Sequence, residues 1–218
     1  MDFYAIQARV RPQAAAENLA DSGQDLAAMN NRRDLLITQS LPERTELARL
    51  GTSFAVTQSG TTTSTNAALP TTTAGYTVYN TAQAGGVSVI IDMVTFIVLT
   101  AAAGASGITT VACVNKGAQT ALSSPDSNTI ATLNGRASSG VSVVATKSGV
   151  TITNDGWFAL ASAPAVGTTS KSSGIIAYME GAIIVPPQGQ VSFHAIGDGT
   201  AAGKFSLTWH EQTIKNVA

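Results

Sequence analysis

Two histidines, one cysteine and thirteen carboxylates are the groups from which this 218-residue chain would have to build acid–base, nucleophilic or metal chemistry. His194 lies among the alternating residues Val191, Phe193 and Ala195, and His210 follows Phe205, Leu207 and Trp209, so both are expected on strands. Were those strands paired, both imidazoles would share one outward face, as surface or interface histidines. A metal site needs three or four ligands. Glu211 and Asp198 would have to complete such a set with help from a loop, so no metal site is expected. Cys113, in the run Thr109-Thr-Val-Ala-Cys113-Val114, has no local histidine or cation to lower its pKa. It reads as a small buried hydrophobe, and a single cysteine forms no intrachain disulfide.

Other catalytic patterns are missing. There is no Gly-x-Ser-x-Gly elbow, no phosphate-binding loop and no Gly-x-Gly-x-x-Gly after a strand. Asn154-Asp155-Gly156 lacks the repeated oxygen-ligand spacing of a calcium loop, and Asp198 between two glycines reads as a turn residue. A carboxylate pair for glycoside hydrolysis would have to be found among few acids. Trp157-Phe158 are expected to anchor the core, with a sugar-stacking role as the rival reading. The expectation is a protein without catalytic residues or cofactor, one that binds and assembles.

The elements that would carry these residues divide the chain in two. Thirteen of the twenty-five charged residues lie in positions 1–49, whereas Leu50 to Asn115 contain one, Asp92. Residues 1–50 read as an N-terminal arm with short helices. Pro12–Ala20 and Gln24–Asn30 are helix-capable but lack a wide apolar stripe, so they need a partner surface. Ser40-Leu-Pro-Glu-Arg-Thr-Glu-Leu-Ala-Arg-Leu50-Gly51 predicts a punctuated helix. Ser40 and Glu43 can form a capping box, and Gly51 can take the left-handed conformation that ends it. Leu47 and Leu50 then share a face, with Arg44 and Arg49 beside them, and these four residues form the expected partner-docking set.

Residues 51–74 read as a Thr-rich joint, with eight threonines and one large apolar residue, Leu69, between Thr57 and Ala74. Residues 75–218 read as a body of short alternating strands. Counting one within the joint, these are 53–57, 76–80, 87–91, 94–99, 109–114, 141–145, 150–153, 157–161, 175–178, 183–185, 190–196 and 204–210. Turn signals at Gly85-Gly86, Asn134-Gly135, Asn154–Gly156, Pro186-Pro187 and Gly197–Gly199 separate them. The fold class expected is mainly β, an antiparallel jelly-roll-like β-sandwich. Lys116–Gly140 is expected as the exposed tip of that fold.

Charged residues make up 11% of the chain, less than half the usual share of about 25%. Surfaces of that kind suit permanent assembly. A net charge of −1 speaks against a direct nucleic-acid partner. Met1–Arg9 has no cationic segment followed by an apolar one, and Val87–Ala103 is interrupted by Asp92, so neither a secretory signal nor a membrane span is expected. The protein is expected to be made in the cytosol and to stay soluble until it assembles.

In layout, with Ser40–Leu50, Leu69-Pro-Thr-Thr-Thr73, Val185-Pro-Pro-Gln-Gly-Gln-Val-Ser-Phe193 and Leu207-Thr-Trp-His-Glu211, the chain resembles the capsid decoration or cement proteins of tailed bacteriophages. The resemblance implies a β-sandwich, commonly a homotrimer, seated on the major capsid protein and bridging neighbouring subunits at the virion surface. An arm of fifty residues at roughly 3.3 Å each would reach across several subunits. Two rival expectations are a tail, neck or head-fibre component or receptor-binding protein whose 116–140 loops contact host glycans, and a bacterial surface adhesin or carbohydrate-binding module.

Overall fold

The computed structural model describes residues 9–10, 28–29, 43–65, 68–100, 107–135, 141–164, 174–197 and 201–214. The chain divides into two compact units, Met1–Glu43 and Arg44–Ala218. In the first, β1 (Arg9–Val10) pairs in parallel with β2 (Ala28–Met29). Residues 28–29, expected within a helix over Gln24–Asn30, are therefore extended. The helix expected over Pro12–Ala20 lies outside the described residues.

The second unit opens with α1 (Glu43–Leu50). Its carboxyl end carries both bonds of a Schellman motif, Gly51 N to Ala48 O (3.0 Å) and Thr52 N to Leu47 O (3.1 Å). Gly51 sits at φ 76°, the left-handed region expected of it. The Ser40 cap lies outside the described residues.

The strands follow in chain order: β3 (Ser53–Thr57), β4 (Thr62–Thr63), β5 (Thr73–Asn80), β6 (Ser88–Thr100) and β7 (Ile108–Asn115). Then come β8 (Ala131–Thr132), β9 (Val144–Thr151), β10 (Trp157–Ala163), β11 (Gly174–Val185), β12 (Gln190–Gly197) and β13 (Ala202–Gln212). They form two antiparallel sheets. One has the order β10-β7-β12-β5-β9; the other has the order β11-β6-β13-β3-β8, with β4 joined to β13. The chain crosses from one sheet to the other at β4–β5, β5–β6, β6–β7, β7–β8, β8–β9, β10–β11, β11–β12 and β12–β13.

Both sheets feed one apolar core, so the body is sandwich-like. Phe205 of β13 is its hub, with ring centroids 4.8 Å from Phe96 in its own sheet, and 6.0 and 6.5 Å from Phe193 and Tyr76 in the opposite sheet. Period-two alternation explains the inward set: Val94, Phe96 and Val98 on β6, and Val191, Phe193 and Ala195 on β12, are all buried.

Three pairs of expected strands are each a single strand. The segments 87–91 and 94–99 are one strand, β6, and 175–178 and 183–185 are one strand, β11. β-Bulges absorb the breaks in pattern. The register of β13 on β6 jumps from Thr208↔Met93 to Trp209↔Ile91, leaving Asp92 as the extra residue. On the other side of β6, residues 179–182 of β11 loop out opposite the same Asp92. The expected strands 141–145 and 150–153 are likewise replaced by the single strand β9.

The Thr-rich tract is woven into the body. β3 pairs with β13 from Thr57↔Ser206 to Ser53↔His210. From Thr61 to Thr65 burial alternates with period two, Thr62 and Ser64 turning inward. Ser64 exchanges two bonds with Ala201, and Thr65 N donates to Ala195 O (3.1 Å). Gln58, almost fully buried, joins the sheets: Nε2 donates to Gly75 O (3.3 Å) and Ser148 Oγ (3.0 Å), and Oε1 accepts from Thr62 Oγ1 (3.1 Å) and Phe205 N (3.2 Å).

Nor is 116–135 a projecting tip. Asp126 N donates to Thr146 O (2.8 Å), and Asp126 Oδ2 accepts from Ser148 N and Oγ (2.8 and 2.7 Å), so the segment runs along β9. Gln119 N donates to Gln188 O at the β11–β12 corner. Residues 136–140 lie outside the described set.

Candidate functional site

The four residues singled out for docking lie on α1. Arg44 and Arg49 are exposed, Leu50 is half-exposed and Leu47 half-buried. The helix is held at its carboxyl end. Thr52 Oγ1 donates to Leu47 O (3.1 Å), Asn134 Nδ2 to Arg49 O (2.9 Å), and Glu211 N to Thr52 O (2.9 Å). Leu133 N, one residue before Asn134, donates to Ser53 O (2.9 Å), so the edge of the six-stranded sheet grips the end of the helix. An eight-residue helix is too short to persist on its own, and these bonds supply its stability. The arrangement is a rigid mount for a short basic and apolar surface.

The histidines do not share a face. They lie on different sheets, His194 on β12 and His210 on β13, and both are buried. The expectation of exposed rings fails because each faces cover from its own surroundings. The His210 Nδ1 lies 3.1 and 3.0 Å from the two oxygens of Asp92. A lone carboxylate inside an apolar strand is costly unless partnered, and the bulge in β6 turns Asp92 to meet the ring. Such a pair orients an imidazole, but among the described residues no hydroxyl or thiol hydrogen-bonds to His210. Nor do the described residues hold any group of three or more His, Cys, Asp or Glu placed to bind a metal. The pair is a structural clasp between β6 and β13.

On the outer side of the five-stranded sheet, Ile152 packs with Ala74 and Cys113 in a second small cluster that includes Trp157. His194 lies edge-on to Trp157, centroids 6.4 Å apart. Both His194 ring nitrogens and Trp157 Nε1 are buried without hydrogen-bond partners. Burial lowers the pKa of His194 from 6.5 and holds it neutral. Cys113 is buried as expected, its thiol pKa raised by desolvation. Trp157 packs outside the main core, and Phe158, expected as a core anchor, is half-exposed. The 154–156 turn is a structural corner. Asp155 Oδ2 accepts from Lys116 N (3.0 Å) and Asn115 Nδ2 (3.1 Å), bonds that lower its pKa.

The carboxylate of Glu211 is also engaged. Its Oε1 accepts from Ser142 Oγ (2.5 Å), Val143 N (3.0 Å) and Trp209 Nε1 (3.3 Å), tying the end of β13 to the approach of β9. Beside β3 lies a cleft of about 420 Å³, lined by Val56, Thr57, Ser59, Ser127, Asn128 and Thr129 among others. It opens where β3 and β8 part after Ala55↔Ala131. Its lining is uncharged and carries the hydroxyls of Thr57, Ser59, Ser127 and Thr129, while the Asn128 amide is taken up by Ser59 N, Tyr76 Oη and Thr146 Oγ1.

The interlocking roles of Gln58, Asp92 and Glu211 escaped sequence reasoning. The one available signal was Asp92, a solitary charge in an apolar run that had to find a partner. Among the described residues no helix is long and apolar enough to cross a membrane. Compared with protein-family models, curated proteins and solved structures, the chain has no match.

Proposed function

We propose that this protein is a non-enzymatic virion structural protein that decorates a phage capsid, bridging major capsid protein subunits as a homo-oligomer, a trimer by resemblance. The observation that carries the reading is the mounting of α1, which holds exposed Arg44, Arg49 and Leu50 on a helix fixed at one end to the body. A docking surface built this way loses little conformational freedom on binding. Residues 1–43, which hold ten of the chain's charged residues, would extend the contact as an arm.

The body fits a jelly roll. The four-strand series β11-β6-β13-β3 and β10-β7-β12-β5 interleave as that topology requires, and β8 and β9 extend the two sheets beside β3 and β5. The engagement of Glu211, Asp126, Asp155 and the Asp92–His210 pair in structural bonds supports a scaffold role for these groups. Co-sedimentation with empty phage heads tests the proposal, comparing the full chain with an Arg44→Glu/Leu50→Asp variant. Binding that the double substitution abolishes supports it; no binding by either chain refutes it.

The cleft beside Ser127–Thr129 favours a second reading, a tail, neck or fibre component that contacts host glycans. Its uncharged hydroxyl lining suits a neutral sugar. Retention of the protein on a glycan array, lost when Ser127→Trp fills the cleft, would favour that reading over capsid decoration.

A further inference from the structure

The outer face of the six-stranded sheet is graded. At its β13 side it carries Lys204, Ser206 and Thr208, whereas towards its free edge it becomes apolar. Ile97 and Leu99 on β6, and Ile176, Tyr178 and Ile184 on β11, are each 38–65% exposed. The register sets Gly174 opposite Ile97, Ile176 opposite Thr95 and Tyr178 opposite Met93, one continuous surface on one side of the bulge, with Ile184 on the other side of it. Their neighbours Val98, Phe96, Ile175 and Ala177 point into the core, so these side chains have no inward alternative. β11 is the terminal strand of its sheet, with β6 as its neighbour there.

We infer that this β11–β6 face is where the chain packs against further copies of itself. The five side chains expose on the order of 500 Å², the upper end of what a monomer leaves open to water. Two such faces brought together remove on the order of 1,000 Å², the lower limit for a specific interface. Charge narrows the occupant to a second copy. Identical faces meeting at a two-fold axis place each residue near its own image, so a charge there repels itself; such a pairing is separate from any three-fold contact of a trimer. The centre of this surface, from Leu99 to Tyr178 along its two strands, has no charged residue, and Lys204 opposite Ile97 and Glu180 on the bulge stand at its rim. A terminal strand also offers its backbone edge to an identical strand, which is complementary to it when antiparallel. The inference does not depend on the capsid reading.

The test is sedimentation equilibrium of the full chain, wild type against Ile176→Lys and Tyr178→Glu. Ile176→Thr and Tyr178→Ser serve as variants that keep strand-compatible residues, and thermal melting verifies folding. The expected result is a wild-type oligomer whose association weakens by about 100-fold in the charged variants and by a smaller factor in the polar ones. A wild type that stays monomeric at about 100 µM overturns the inference, as does an oligomer that folded variants of either kind leave unchanged. A wild type that self-associates yet does not bind heads would refute the capsid proposal and leave this one standing.

Discussion

Replacing Gln58 with leucine tests whether the Thr-rich tract is part of the fold. The side chain is almost fully buried and makes four hydrogen bonds. Leucine has nearly the same volume but no polar atom. Ser148 Oγ keeps its bond to Asp126, so its loss is partial. Gly75 O and Phe205 N lose the Gln58 partner, and a buried backbone group left unpaired costs about 1–3 kcal/mol. Added apolar burial offsets part of this, leaving a net destabilisation of about 3 kcal/mol. For a chain of this size that is a drop in Tm of about 9 °C. Urea unfolding followed by the fluorescence of Trp157 and Trp209 measures it. The control is Thr63→Ala, an exposed position in the same tract, expected to shift stability by under about 0.5 kcal/mol. If Gln58→Leu behaves like the control, the tract is a passive joint and the reasoning about it is wrong.

His194 makes stability fall in mild acid. The unfolded chain takes up a proton below pH 6.5 while the folded chain, whose histidine pKa is lowered by burial, does not. The His194 contribution is therefore whole above 6.5 and declines by up to about 1.4 kcal/mol per pH unit below it, a slope that His194→Gln should remove from urea midpoints compared at pH 7.5 and 5.5. Tyr76, whose pKa burial raises to about 12, behaves oppositely: its contribution is whole below its ordinary value of 10.0 and is lost between there and 12, and ultraviolet titration should show one tyrosine ionising late. Gly203→Ala puts a methyl 2.4 Å from Phe96 Cζ and 2.6 Å from Ile97 O, so it should cost about 3 kcal/mol in the same urea assay. Gly51→Ala forces a side chain to φ 76° at the end of α1 and should cost about 1 kcal/mol, read as a lower urea midpoint.

Much of the β architecture was legible because its signal is local. Val191/Phe193/Ala195 and Phe205/Leu207/Trp209 alternate as strands must, and the core takes those inward residues. The helix ending at Leu50 and the left-handed Gly51 were readable from punctuation alone. What sequence could not supply was pairing across distance. Asp92 looked like a break between two strands because nothing nearby indicates that bulges on both flanks carry β6 straight through it. The Thr-rich tract looked like a linker because threonine is equally at home in solvent and in a ladder. Gln58 and Ser64 become structural only when residues some 140 positions later arrive beside them. The histidines were misplaced for the same reason, since the sheet to which a strand belongs is a property of the whole topology.

The position of β13 has a consequence for how this protein is made. It lies in the middle of its sheet, between β6 and β3, yet it is synthesised after both. Until the ribosome delivers it, two long strand edges wait open, and the cavity that Phe205, Leu207 and Trp209 will fill is unoccupied. Nascent chains in that state offer the edges that drive intermolecular strand pairing. Closure must then join segments about 150 residues apart, a topology that folds slowly. Late closure makes the yield of this protein depend on translation reaching β13, and on whatever shields β3 and β6 until it does.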